Sequence, residues 1–193
     1  MVATATDLFY RDGFRATGVD QIAAAAGVAK RSMYNHFPSK QDLIAEVLRR
    51  RHEAWRTSLA SALAERAVEP VGKLLAWFDV LDEAIRSPGY RGCIFFIAAI
   101  ELPDAPPAIR AVIDENNRAS YDLLRSLAAA AGAADPNALA RELGVLRRGA
   151  QVTATVTRDA SSVRDAKRAA ERILVAHGLI GAATVGMTPA ATV

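Results

Sequence analysis

Between Val28 and Lys40 the chain carries four residues that are or can become cationic, Lys30, Arg31, His36 and Lys40, and no acid. Ser32, Tyr34 and Asn35 lie among them, so six of the seven residues from 30 to 36 bring a hydrogen-bond donor. Such groups can bond phosphate oxygens and base edges, and an arginine fork on guanine is the commonest base-specific contact. The chemistry on offer is therefore nucleic-acid recognition. Each residue alone would pass as a solvated surface; the order of the residues around them gives the segment its meaning. Catalysis is poorly provided for. His36, His52 and His177 lie far apart, and His-x-x-x-His, Glu-x-x-His and Gly-x-Ser-x-Gly patterns are missing. Phosphate-loop and dinucleotide fingerprints are missing too. Cys93 sits in an apolar run, where a thiol is usually inert. The expectation is a protein that is not an enzyme and has no cofactor and no metal.

The elements that must position these donors are helical. Half of the 193 residues are hydrophobic and alanine is abundant, which favours an all-α chain. A first helix, 3–12, stops at Gly13. A second, 19–26, ends at Gly27, with either Thr17 and Asp20 or Gly18 and Gln21 at its start. A third, 30–37, ends before Pro38. Val19, Ile22, Ala23, Val28, Met33 and Phe37 are spaced to pack the second and third helices against the first, which is helix-turn-helix anatomy. Ser39 with Asp42 forms a capping box that opens a long fourth helix to about residue 65. Pro70 suits the first turn of a fifth helix, broken by Ser87-Pro88-Gly89. An apolar sixth spans 92–102 and a seventh 108–131. Asp135-Pro136 starts an eighth, to 157, and the brief alternation from Val152 to Val156 reads as part of it. A ninth runs from Ser161 or Ser162 to His177. About nine helices result, divided as a helix-turn-helix domain (1–45), a helical ligand-binding and dimerisation domain (46–180) and a flexible tail (181–193).

The first 45 residues resemble the tetracycline-repressor (TetR/AcrR) family. Leu8-Phe9, Gly13-Phe14, Ala16-Thr17, Ile22-Ala23, Ala26-Gly27-Val28, Met33-Tyr34, Phe37 and Pro38-Ser39-Lys40 match its pattern in order and without gaps. The resemblance implies a homodimer, a divergent effector domain and repression relieved by a small molecule. It also implies roles. Lys30 and Arg31 point at base edges, Ser32, Tyr34 and Lys40 hold phosphates, and Asn35 and His36 do either. Thr17 holds a further phosphate at the positive end of the second helix. Two departures stand out. The family usually has basic residues before its first helix, where this sequence has almost nothing, and often a capping Ser or Thr where Ala29 stands.

For the second domain, Trp77, Phe78, Cys93, Phe96, Asn117, Tyr121 and Gln151 are the candidate pocket residues, with walls that favour a largely hydrophobic effector. Glu101, at a helix end, reads as solvated. The eighth helix (Ala138, Leu139, Leu143, Leu146, Ala150) and the ninth (Ala166, Ala170, Ile173, Leu174, His177) mix small and aliphatic residues. They are expected to form a four-helix bundle across a two-fold axis. The partners expected are double-stranded operator DNA, a second copy of the chain and a small-molecule effector. A single cysteine, with no leader-like or membrane-spanning stretch, fits a cytoplasmic protein.

Overall fold

The computed structural model describes residues 1–181. The expected tail falls almost wholly on 182–193 and so lies outside the described residues. Among the described residues there are nine α-helices and no strand: α1 Val2–Asp12, α2 Val19–Ala25, α3 Lys30–His36, α4 Lys40–Arg66, α5 Pro70–Arg86, α6 Ile94–Glu101, α7 Pro107–Ala130, α8 Pro136–Thr157 and α9 Ser161–Ala176. The described residues divide into two compact units, one of residues 1–57 and 91–118, the other of residues 58–90 and 119–181.

The first unit is built on aromatic and aliphatic residues at helical spacing. Ala5, Leu8 and Phe9 of α1 are buried with Phe14, Ile22 of α2 and Met33 of α3, and with Leu43, Ile44, Val47 and Leu48 of α4. Phe9 and Phe14 stack with ring centroids 5.1 Å apart. Ser39 caps α4 as its spacing requires: its hydroxyl accepts from the Asp42 amide at 3.1 Å and donates to the Asp42 carboxylate at 2.7 Å. Tyr10 ties α1 to the start of the α6 segment. Its hydroxyl donates to the Gly92 carbonyl at 2.9 Å and accepts from the Arg91 amide at 2.8 Å.

The second unit packs α5, α8 and α9. Leu74, Trp77, Phe78 and Leu81 of α5 are buried, as are Leu139, Leu143, Ala150 and Ala154 of α8 and Val163, Ala166, Ala170 and Leu174 of α9. Alanines at these positions let the helices approach closely. Pro70 stands in the first turn of α5, and Asp135 caps α8 by accepting from the Ala138 amide at 2.9 Å. Charged side chains join the helix surfaces. Lys167 Nζ lies 2.6 Å from Asp79 Oδ1, and the Arg147 guanidinium stands over the Trp77 ring, 5.2 Å from its centroid.

Candidate nucleic-acid interface

The turn between α2 and α3 begins where α2 runs out. The Val28 amide reaches back to the Ala23 carbonyl at 3.0 Å, and the Gly27 amide to that of Ala24 at 3.2 Å. Gly27 takes φ 65°, a left-handed conformation costly for a residue with a Cβ. The chain then enters α3 through Ala29, extended at φ −67° and ψ 140°, with no side-chain cap.

Of the seven described residues of α3, Met33 is the one buried, at 0 % exposure. It pins the helix while Lys30, Arg31, Ser32, Tyr34, Asn35 and His36 stay on the outside. The His36 Nδ1 lies 3.0 Å from the Ser32 carbonyl. A carbonyl only accepts, so Nδ1 donates in this bond and a neutral ring keeps Nε2 as an acceptor. Lys30 is held: its Nζ lies 2.7 Å from Asp20 Oδ1 on α2. The hydrogen bond and negative charge of Asp20 raise its pKa above the usual lysine value.

Two of the expected DNA contacts stand apart from this surface. Thr17 is a correction. It is completely buried, and its hydroxyl donates to the Gly13 carbonyl at 2.7 Å, so it closes the loop after α1 and has no direct reach to a phosphate. It does not cap α2 with Asp20 either; Gly18 is the N-cap and no side-chain bond is made there. Lys40, in the first turn of α4, is half-buried, and its ammonium lies 3.4 Å from the Arg15 carbonyl. Burial lowers its pKa, opposed by the charge of Glu101. It lines a cleft of about 320 Å³ with Phe14, Arg15, Ile44, Glu101 and Ile109, among others. None of the seven expected pocket residues lines that cleft.

Glu101 is more engaged than its place at a helix end suggested. Its Oε2 accepts from the Arg15 amide at 3.1 Å, and its backbone carbonyl accepts from Arg15 Nε at 2.5 Å. Of the expected pocket residues, Trp77 and Phe78 are buried in the second unit. In that unit Gln151 Nε2 donates to the Tyr90 hydroxyl at 2.9 Å, and the Tyr121 hydroxyl donates to Asn137 Oδ1 at 3.0 Å. Cys93, Phe96 and Asn117 belong to the first unit: Cys93 is half-buried, Phe96 is 47 % exposed and Asn117 is on the surface.

Sequence reasoning passed over Asp20 as a partner of Lys30, the Glu101–Arg15 tie and Tyr90. Each depends on pairs from different elements, for which sequence spacing gives no signal.

A buried anchor, an outward row of donors and a tight Gly turn onto α2 define a helix-turn-helix DNA-binding protein. Residues 1–47 match the family model described as bacterial regulatory proteins, tetR family, and residues 70–170 match the tetracyclin repressor-like C-terminal domain. The chain belongs to the TetR family of transcriptional regulators. It is similar to the HTH-type transcriptional regulator YjdC of Escherichia coli, 25 % identical over 177 residues that make up 90 % of this chain and 91 % of that protein. It is also similar to the HTH-type transcriptional repressor DhaR of a Mycobacterium species, 30 % identical over 57 % of this chain and 54 % of that one. Among solved structures, SCO4454, a TetR-family transcriptional regulator from Streptomyces coelicolor, superposes with a TM-score of 0.83 at 30 % identity, covering 91 % of this chain and 93 % of that one. No helix among the described residues is long and apolar enough to cross a membrane.

Proposed function

We propose that the chain is a cytoplasmic homodimeric repressor, released from a palindromic operator by a small, largely hydrophobic effector. The observation that carries the DNA half is the surface of α3: one side chain is buried and six polar side chains are exposed. Arg31 reads base edges, and Lys30 does so on exchanging Asp20 for a base at the operator. Ser32 and Tyr34 hold phosphates, and Asn35 serves either. His36, its Nδ1 proton engaged by the Ser32 carbonyl, accepts from a base-edge amino group at Nε2. Lys40 joins the phosphate contacts by leaving Arg15, since a 3.4 Å bond is long and easily exchanged. Residues 1–45 are the reading head, and residues 46–180 supply effector binding and dimerisation. The repressor sign is supported by the similarity to DhaR, whose name says that it is one.

Dimerisation through α8 and α9 is supported by what one chain leaves uncovered. Val145 and Val156 of α8 are 70 % and 77 % exposed. With Gly149 and the half-buried Val152 they follow helical spacing, a small-residue stripe suited to a second copy. Two reading heads then meet successive major grooves about 34 Å apart. For the effector, the buried Trp77 and Phe78 and the Gln151–Tyr90 pair supply apolar walls and a polar fix within one unit. An effector that binds only the arrangement with mismatched head spacing weakens operator binding by linkage.

Selection of duplexes from a random library, followed by gel shift at several salt concentrations, tests the reading. Recovery of one palindrome whose affinity falls steeply with salt supports it. A salt slope without sequence preference refutes operator recognition. Titration of a panel of apolar and aromatic compounds into the bound complex tests release.

A further inference from the structure

From Gly13 to Gln41 the chain holds a single acid, Asp20. Its carboxylate is not idle. Oδ1 lies 2.7 Å from Lys30 Nζ, joining the first turn of α2 to the first residue of α3, with the two side chains 76 % and 54 % exposed. An ion pair this open adds little to folding stability. Its place matters more, because it neutralises one cation on the surface otherwise supplied with donors, and sets an anion beside it.

We infer that Asp20 is a specificity-determining residue: it withholds Lys30 from DNA phosphates and so suppresses binding to arbitrary sequence. The inference rests on the reading of α3 as the DNA-contacting helix. Binding to arbitrary sequence is essentially all electrostatic, each cation placed on a phosphate releasing condensed counterions. A surface that loses one cation to an internal partner loses that share of the affinity. At the operator Lys30 exchanges Asp20 for a base edge, a partner that arbitrary sequence does not offer, so the pair costs the operator complex less than the random one. The pair thereby widens the ratio between operator and random DNA, the quantity that decides occupancy among many competing sites.

The test uses the full chain, its Asp20→Asn and Lys30→Ala variants and the double variant. Each is titrated against a random-sequence duplex by fluorescence anisotropy between about 50 and 200 mM salt, and against the operator recovered by selection. Matching circular dichroism shows that all are folded. Asp20→Asn is expected to bind the random duplex several-fold more tightly than the parent. Its salt slope is expected to steepen by about 0.9, which adds about a 3.5-fold loss of affinity across that salt range. The ratio of operator to random affinity falls. In the Lys30→Ala background the same change leaves the slope where it was. An Asp20→Asn slope equal to the parent's overturns the inference, as does an equal gain with and without Lys30. If the parent binds no duplex at low salt, the DNA reading is overturned and this inference with it. If the parent binds and Asp20→Asn changes nothing, this inference alone is lost.

Discussion

At the scale of single residues, donors of similar chemistry are sorted by what each already touches. Arg31 and Lys40 illustrate the range. Arg31 is exposed on α3, whereas Lys40 is half-buried against the Arg15 carbonyl in the field of Glu101. Arg31→Ala is expected to flatten base preference at one position per half-site, at a cost of about 1–3 kcal/mol on the operator and almost nothing on random DNA. Lys40→Ala is expected to weaken all duplexes alike and to lower the salt slope by about one. Competitive binding to a mutated-operator series separates the two; identical behaviour would refute the assigned roles. Thr17 shows where residue type misleads. A hydroxyl beside a helix start suits a phosphate, yet this one bonds the Gly13 carbonyl, because the first turn after α1 folds the chain over it. Which way a hydroxyl points is settled by tertiary packing, and the sequence holds no periodic record of it.

At the scale of elements, the helices were legible because their ends are written in local chemistry. The Ser39–Asp42 cap, Pro70, the Asp135–Pro136 start and the turn at Gly27 all act within a few residues, and each stands where its spacing indicated. The Val152–Val156 alternation is helix, as the longer period around it required. The sixth helix is the instructive difference. Its apolar run suggested a start at Gly92, but the helix begins at Ile94, since Gly92 takes φ 109° and its carbonyl accepts from Tyr10. A contact from a residue far away in the chain sets that boundary. The weak point of the reading head is also visible here. Ala29 has the extended backbone of an N-cap but no side chain able to cap. Ala29→Ser is expected to stabilise the chain by about 1 kcal/mol, read as a shifted urea midpoint at unchanged slope. Met33→Ala removes the anchor of α3 and should cost about 2–5 kcal/mol, with operator binding lost at temperatures where the parent still binds.

At the scale of the whole molecule, the family was readable from the first 45 residues alone, while the remainder showed little beyond helix lengths. The physical reason is that a DNA-reading head must meet one fixed object, the duplex, whereas effector sites meet many different ligands. Val145→Glu places a charge in the exposed stripe of α8 and is expected to give monomers in sedimentation, with the chain still folded and operator affinity reduced by orders of magnitude. A variant that remains dimeric would move the interface elsewhere.

The central claim is that α3 reads DNA, twice per assembly. Hydroxyl-radical footprinting on the DNA flanking the coding sequence addresses it most directly. Two protected patches of equal strength, one helical turn apart, are expected, both needing a higher protein concentration with Arg31→Ala. Protection without sequence preference, or a footprint that Arg31→Ala leaves unchanged at every protein concentration, would contradict this.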